Sequence, residues 1–441
     1  MSSRSLPSCI SNNRMPPPAP APERRRALLK HSKAFCVAAW TNLMIDPKNN
    51  VLPCDAADPR FPVGNISETR LDHILNSQTI RQMRLNMLSG AESPACHMCY
   101  EKDKRGVSSL RREFNAKFGR HFQLEATRDD GSVERHEIRH LDITFSSLCN
   151  FRCRYCDSRR STAWLPDEKL WLGKVYSASS PTKPPQDVKN MLDQFEPYLS
   201  QMELIHFMGG EPLLMEEHYK LLNLLIERKL FHVELAYNTN FSVMQHKGRD
   251  VMELWNRFEK VTVGASLDAM GRRGEYIRKG QDWDQVLRNR ERMLKVCPRV
   301  NFELAPAISV FNALHLPDFY MDWVRKGFVS PERFVPGFVL HPDFYCAQIL
   351  PEHLKARAIE KYEECIRKII KPRGFPEESV GYATGGGAFR MVQDFLKAQD
   401  RSALLPKFVE MNRRLDAIRG ESFADVFPEL AELCKQSPQM L

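Results

Sequence analysis

The sequence contains no apolar segment of about 18 residues, the length that a membrane-spanning helix requires. Its N-terminus is rich in proline and arginine and lacks the apolar core of a secretory signal. Repeats at the periods of solenoid proteins are also absent. We therefore expect a cytoplasmic protein that has no membrane partner.

Cysteine is sparse, with 12 residues in a chain of 441. In a reducing compartment, this number argues for metal or thiolate chemistry rather than for a disulfide framework. The net charge of +9 is a small excess for this length. Because basic residues do not alternate with stacking aromatics, nucleic acid is not the expected partner.

The chain is long for one hydrophobic core, so its length predicts several folding units. Residues 1–33 include the stretch RMPPPAPAPERRR, which predicts a disordered leader. Residues 34–119 contain four cysteines separated by helical patterns, and they predict a compact module. Residues 138–342 predict an α/β unit, and residues 343–441 a mostly helical extension.

The α/β unit shows six short apolar runs that alternate with amphipathic helical patterns. The runs are IRHLDITFS, MELIHFMGG, FHVELAYNTN, KVTVGASLD, VNFELAPAIS and RFVPGFVLH. Strands that alternate with helices indicate parallel βα units. The pattern therefore predicts the α/β class, as a barrel or an open sheet.

Three cysteines, Cys149, Cys153 and Cys156, lie within eight residues and follow the first predicted strand. At this cysteine content, chance yields only about 0.009 such triplets. A zinc site usually closes with four ligands, whereas three cysteines leave one iron of a cubane without a protein ligand. The triplet would lie at the C-terminal mouth of a barrel, where active sites gather.

The spacing C-x3-C-x2-C, with the aromatic Tyr155 before the last cysteine, resembles the signature of the radical S-adenosylmethionine (radical SAM) superfamily. The resemblance implies a partial (β/α)6 barrel of the TIM type. It also implies that Cys149, Cys153 and Cys156 bind three irons of a [4Fe-4S] cluster. The fourth iron would bind the amine and carboxylate of SAM.

A second motif, FMGGEPLL, follows the second predicted strand and contains Gly209, Gly210 and Glu211. Paired glycines allow a close backbone approach that exposes carbonyl groups to a cation, and Glu211 adds a negative charge. A Gly-Gly-Glu sequence by itself commonly forms only a turn. In this context it resembles the motif that binds the SAM amino group in the radical SAM family.

Further candidates for binding SAM follow later strands. The segment GASLDAMGRRGEYIRKG contains Ser266, Asp268 and Arg278, and it resembles the family segment whose serine and arginine contact the SAM ribose or carboxylate. The alternative for Asp268 and Arg278 is an ordinary surface ion pair. Asn240 follows the third strand, and Ser309 follows the fifth, near the expected adenine position.

The N-terminal module contains Cys36, Cys54 and the pair Cys96 and Cys99. A C-x2-C pair is a reliable metal knuckle, and the two earlier cysteines complete four ligands. The arrangement resembles the twitch domain, a short relative of the SPASM extension, here placed before the barrel. Asn49 stands where the family often has glycine, and asparagine also tolerates left-handed geometry. Zinc remains the alternative to an auxiliary Fe-S cluster.

The resemblance implies an enzyme that cleaves SAM to a 5'-deoxyadenosyl radical, which abstracts hydrogen from a peptide, a protein or a small molecule. It also implies an electron donor such as flavodoxin or ferredoxin. The alternative function is a non-catalytic, zinc-stabilised module that binds nucleic acid or protein.

The C-terminal segment FVEMNRRLDAIRGESFADVFPELAEL has a polar helical face that includes Arg413, Arg414, Asp416 and Arg419. We interpret this face as solvated, and the alternative is that it lines a substrate entrance.

Overall fold

The computed structural model describes residues 21–104, 109–173, 188–375 and 385–434. The strands are β1 (Asn42–Ile45), β2 (Asn50–Leu52), β3 (Gly64–Asn65), β4 (His140–Ile143), β5 (Arg152–Cys153), β6 (Leu204–Phe207), β7 (Glu234–Thr239), β8 (Gln245–His246), β9 (Arg249–Asp250), β10 (Val261–Ala265), β11 (Arg278–Lys279), β12 (Asn301–Leu304), β13 (Ala307–Ile308) and β14 (Gly337–Phe338).

The main sheet has the order β12-β10-β7-β6-β4-β1-β2-β3. Strands β4, β6, β7, β10 and β12 are parallel neighbours in chain order. A short parallel pair, β13 with β14, includes the last of the six predicted runs. The fold is therefore an α/β partial barrel, as the alternation of apolar runs and helical patterns predicts.

The α-helices are α1 (Ala21–His31), α2 (Ala38–Thr41), α3 (Leu71–Ile74), α4 (Gln78–Ser89), α5 (His97–Lys104), α6 (Leu110–Phe118), α7 (Leu165–Leu172), α8 (Val188–Leu199), α9 (Glu216–Glu227), α10 (Val251–Trp255), α11 (Gly271–Ile277), α12 (Trp283–Val296), α13 (Leu316–Arg325), α14 (Glu352–Cys365), α15 (Gly386–Ala398), α16 (Leu405–Arg419) and α17 (Phe423–Val426). No helix within the described ranges is long and apolar enough to span a membrane.

The helices pack against one face of the barrel strands. Phe207 of β6 and Tyr237 of β7 stack on each other and contact His218 of α9. Trp255 of α10 packs against Tyr237. Side chains alternate between the two faces along a strand. His206, which directly precedes Phe207 in β6, therefore points to the opposite, inner face of the barrel.

The N-terminal module shares the sheet of the barrel. Strand β1 pairs in parallel with β4, and β2 and β3 extend the sheet as antiparallel neighbours. The apolar side chains of the module and the barrel form one continuous core. The sequence predicts the module but not this pairing, because sheet register between distant segments leaves no local signal.

Part of the expected disordered leader is helical. Residues 21–31 form α1, in which Leu28 is buried and Arg25 donates hydrogen bonds to the carbonyl oxygens of Gly119 and Phe122 (2.6 Å each). The prediction of disorder is therefore wrong for these residues, because a tertiary contact offsets the cost of ordering a polar helix. Residues 1–20 lie outside the described residues.

Candidate active site

The three clustered cysteines lie on the loop of residues 146–162 that follows β4, which we call the cluster loop. Cys153 lies in β5, which pairs with β11. The N–H group of Cys156 donates to the carbonyl oxygen of Cys153 (3.0 Å), which closes a tight turn. The Cys153 thiol raises the pKa of both Cys149 and Cys156, and the Cys149 thiol adds to the effect on Cys156, so the structure brings all three together.

The environment of these thiols suits an iron-sulfur cluster. Burial, followed by the neighbouring thiol of Cys153, raises the pKa of Cys149 and Cys156 to about 12. The N–H group of Phe151 lies 3.4 Å from Cys149 Sγ, and Nη1 of Arg278 lies 3.9 Å from Cys153 Sγ. N–H groups near the sulfurs stabilise metal-bound thiolates. Three such ligands fit a cubane that leaves one iron open.

The paired glycines after β6 have left-handed backbones, with φ of +72° at Gly209 and +50° at Gly210. A Cβ atom at Gly209 would overlap the side chain of Thr144, and one at Gly210 would overlap the carbonyl oxygen of Leu148. Both positions therefore require glycine, because this turn packs directly against β4 and the cluster loop.

Glu211 is fully buried and does not present a free charge at the rim of the barrel. Its carboxylate accepts hydrogen bonds from the Thr239 hydroxyl (2.8 Å) and from the N–H groups of Asn240 (2.7 Å) and Leu213 (3.1 Å). Burial raises its pKa to about 7. Glu211 thus joins the C-terminal ends of β6 and β7.

Asp268 and Arg278 form a buried network, so the interpretation of an exposed pair is wrong. The Arg278 guanidinium donates to both carboxylate oxygens of Asp268 (2.9 and 3.0 Å). The Tyr155 hydroxyl donates to the same carboxylate, as does the N–H group of Ala307 (2.9 Å). Charge and hydrogen bonds thus connect the cluster loop to the end of β10 and to strands β11 and β13.

Asn240 also lies near a cluster-loop cysteine. Its Nδ2 donates to Asn150 Oδ1 (2.8 Å) and lies 4.0 Å from Cys149 Sγ. An amide donor at this place suits a thiolate that is bound to iron.

The two serine candidates differ in their surroundings. Ser266 is half-buried at the end of β10, where its N–H group donates to the carbonyl oxygen of Thr239 (2.8 Å). Ser309 is fully buried, and both its N–H group and its hydroxyl donate to Asn312 Oδ1 (2.8 and 3.2 Å). Ser309 therefore supports a turn, whereas Ser266 is the more accessible of the two.

The four cysteines of the N-terminal module are buried and close together. Burial is the main cause that raises the pKa of Cys36 and Cys54, and the thiols of Cys96 and Cys99 add to it. Asn49 adopts the left-handed conformation, with φ of +64°, that its position in the motif requires.

Four buried thiols can close the coordination shell of a zinc ion or hold an Fe-S cluster, so these side chains fit either kind of site.

The C-terminal helix α16 packs against the cluster loop, so the interpretation of a fully solvated polar face is wrong. Arg154, which is 0% exposed in the side chain, donates to Asp416 and Glu421 (2.5 Å each) and to Asn412 (2.8 Å). Arg419 pairs with Asp167 (2.8 Å). These residues hold the loop and do not line an entrance. Arg413 and Arg414 are exposed.

Sequence reasoning missed three polar residues on the inner face of the barrel, namely His140, Asp142 and His206, which we call the His-Asp-His triad. His140 and Asp142 alternate with apolar residues along β4, and His206 interrupts the apolar strand β6. Polar residues at alternate positions of a strand that is otherwise buried were the available signal.

Family comparisons agree with this geometry. Residues 36–100 match an iron-sulfur cluster-binding domain of the SPASM type. Residues 143–306 match the radical SAM superfamily. The chain contains a radical SAM domain. It is therefore an enzyme of a family that uses a [4Fe-4S] cluster and SAM, and its SPASM-type domain indicates an auxiliary Fe-S cluster.

The curated relatives of this radical SAM protein are distant. A GTP 3',8-cyclase of Aliarcobacter butzleri (strain RM4018) is 23% identical over 260 residues, which cover 56% of this chain and 72% of the cyclase. A 7,8-dihydro-6-hydroxymethylpterin dimethyltransferase of Methanocaldococcus jannaschii is 21% identical, over 38% of this chain and 28% of that protein.

Similar solved structures include anSMEcpe with bound AdoMet and the Cp18Cys peptide, which is 20% identical over 53% of this radical SAM chain, with a TM-score of 0.36. SuiB of Streptococcus suis bound to the precursor peptide SuiA is 13% identical over 66% of the chain, also with a TM-score of 0.36. The chain spans 61% of anSMEcpe and 63% of SuiB.

Proposed function

We propose that this enzyme reductively cleaves SAM at a cluster bound by Cys149, Cys153 and Cys156, and that it abstracts hydrogen from a substrate inside the barrel. The convergence of one buried and two half-buried thiols on one loop, beside left-handed glycines and N–H donors, carries the proposal. When bound, the cluster and SAM supply the 5'-deoxyadenosyl radical. The protein binds and orients the cofactor and the substrate, and it excludes water.

The glycine turn is the proposed binding site of the SAM ammonium group. The left-handed backbone at Gly209 and Gly210 brings the turn against Leu148 of the cluster loop. Glu211 fixes the turn because its carboxylate is hydrogen-bonded to the end of β7. A fixed carbonyl array binds a cation with little reorganisation, which favours one orientation of SAM.

The network of Tyr155, Asp268 and Arg278 is the proposed support for the remainder of the cofactor. Arg278 contacts both the buried Asp268 carboxylate and the Cys153 sulfur, so its charge is compensated within the protein. We therefore assign Arg278 to positioning the cluster loop. Ser266, whose side chain is the more accessible, is the better candidate for a direct contact with SAM.

Cys36, Cys54, Cys96 and Cys99 are the proposed ligands of the auxiliary cluster. This cluster would exchange an electron with the substrate radical or bind the substrate, and a flavodoxin or ferredoxin would supply electrons to the barrel cluster. The substrate is a peptide or a small molecule. The named relatives are a GTP cyclase and a pterin dimethyltransferase, and they support a small molecule.

The test is anaerobic reconstitution followed by dithionite and SAM, with 5'-deoxyadenosine measured by chromatography. We expect the wild type to bind about eight irons and to form 5'-deoxyadenosine. Cys153→Ala is expected to abolish formation of the product. Cys297→Ala is the matched control, because this buried cysteine lies at the end of α12, outside both cysteine groups.

A wild type that holds both clusters but forms no 5'-deoxyadenosine would refute the proposal. Equal turnover by Cys153→Ala and the wild type would refute the assignment of the ligands.

A further inference from the structure

The His-Asp-His triad brings three potential metal ligands together on the inner face of the barrel. Asp142 Oδ1 lies 3.1 Å from His140 Nε2 and 3.1 Å from His206 Nδ1. The three ligand atoms all lie within 4.8 Å of one another. Ligand atoms around one transition-metal ion have separations of this size, because each ligand bond is about 2.1 Å long.

Strand register produces this arrangement. Asp142 of β4 and His206 of β6 are direct partners in the parallel ladder, so their side chains leave the sheet side by side. His140 lies two residues before Asp142 and therefore points to the same face. Rings of Phe114 and Phe118 from α6 pack against the His140 imidazole and fix its plane.

Asp142 Oδ2 has no hydrogen-bond partner among the described residues. His140 Nε2 lies 3.1 Å from Asp142 Oδ1, but this contact does not have the geometry of a hydrogen bond. His140 is only 4% exposed and Asp142 only 1%. A buried polar group without a partner costs about 1–3 kcal/mol, and a buried carboxylate costs more. A bound cation would satisfy both atoms and neutralise the carboxylate.

The surroundings also match those of known metal sites. His140 Nδ1 lies 3.2 Å from the Asn42 amide, and the His206 side chain is hydrogen-bonded to that of Asn238. Imidazoles that bind metals are usually held by such a second contact, which fixes the ring and its tautomer. The carboxyl group of Asp55 interacts electrostatically with all three members of the triad.

We propose that His140, Asp142 and His206 form a mononuclear site for a divalent first-row transition metal, separate from both Fe-S clusters. Two imidazoles and one carboxylate suit Zn²⁺, Fe²⁺ or Mn²⁺ and leave coordination positions free. His206 is partly exposed, so the open positions face the interior of the barrel. An oxygen or nitrogen atom of a substrate would bind there.

Binding of Mn²⁺ by the full chain tests this site. The protein is reconstituted, treated with a chelator, and checked for its full iron content. It is then titrated with MnCl₂, and the electron paramagnetic resonance signal of free aqueous Mn²⁺ is followed. Oxidised [4Fe-4S] clusters give no such signal, so the loss of free Mn²⁺ measures binding directly.

We expect one tight equivalent per wild-type chain, which Asp142→Asn and His206→Asn both lose. Asn238→Ala should weaken binding about 10- to 100-fold, because it removes only the contact that supports the ring. His232→Asn replaces an exposed histidine and should bind like the wild type. Added Zn²⁺ should displace Mn²⁺, as the order of divalent affinities requires.

The absence of saturable Mn²⁺ binding in the wild type would overturn the proposal, even if a variant failed to fold. Binding that is equal in the wild type, Asp142→Asn and His206→Asn would overturn it too, since the ion would then lie elsewhere. Neither result depends on SAM cleavage, so this test is independent of the proposed function.

Discussion

Replacement of Arg154 by methionine tests whether the C-terminal helix stabilises the cluster loop. The Arg154 side chain is 0% exposed and pairs with Asp416 and Glu421, each 12% exposed. Methionine retains much of the side-chain volume but leaves both carboxylates without this partner. Removing one member of a buried ion pair costs about 3–5 kcal/mol.

We take about 3 kcal/mol, the lower limit, because two contacts remain. Glu421 keeps its pair with Lys279 (2.8 Å), and Asp416 keeps the Tyr276 hydroxyl (2.8 Å). This energy corresponds to a shift of roughly a hundredfold in the equilibrium for local opening of the loop. Opening exposes the Fe-S cluster, so iron should escape about a hundredfold faster.

The assay follows iron release to a colorimetric chelator under anaerobic conditions. We expect half of the iron to leave faster in Arg154→Met, because only the barrel cluster lies on the destabilised loop. Arg413→Met is the matched control, since Arg413 is an exposed arginine on the same helix. Iron release at the same rate from the wild type and both variants would refute the reasoning.

Three further predictions concern the glycine turn, a buried carboxyl group and the auxiliary cluster. Gly210→Ala should lower stability by about 1–3 kcal/mol and reduce SAM cleavage, because the new Cβ atom would overlap the Leu148 carbonyl oxygen and the backbone φ is positive. Thermal melting measures the loss of stability, and the yield of 5'-deoxyadenosine measures SAM cleavage. Glu211 has a pKa raised to about 7, so folding binds a proton and stability should fall as pH rises from about 4.5 to 7. The melting temperature of Glu211→Gln should fall less steeply with pH than that of the wild type, and an unchanged slope would contradict the assignment. Cys99→Ala should remove the auxiliary iron, which is roughly half of the total, but SAM cleavage measured in the absence of substrate should be retained. A full iron content in this variant would exclude Cys99 as a ligand.

Motifs that are local in sequence were predictable. Three cysteines within eight residues after an apolar run, and Gly-Gly-Glu after the next, indicate ligands and a backbone turn without knowledge of the fold. The six apolar runs of the α/β unit correspond to strands of the structure, because hydrophobic alternation directly reflects burial.

Contacts between distant segments were not predictable. Arg154 and Asp416 are 262 residues apart, and neither shows from sequence alone that it is buried. The exposed-pair alternative for Asp268 and Arg278 is wrong for the same reason, because the sequence does not distinguish an ion pair in the core from one on the surface.

The sequence by itself determined the class of fold, the thiol groups and the glycine turn, because each depends on spacing within one short segment. Only the tertiary structure decided that the N-terminal module joins the barrel sheet and that α16 holds the cluster loop. It also brought His140, Asp142 and His206 together. These features depend on strand register and helix packing, which are set by the energy of the whole core and not by any local pattern.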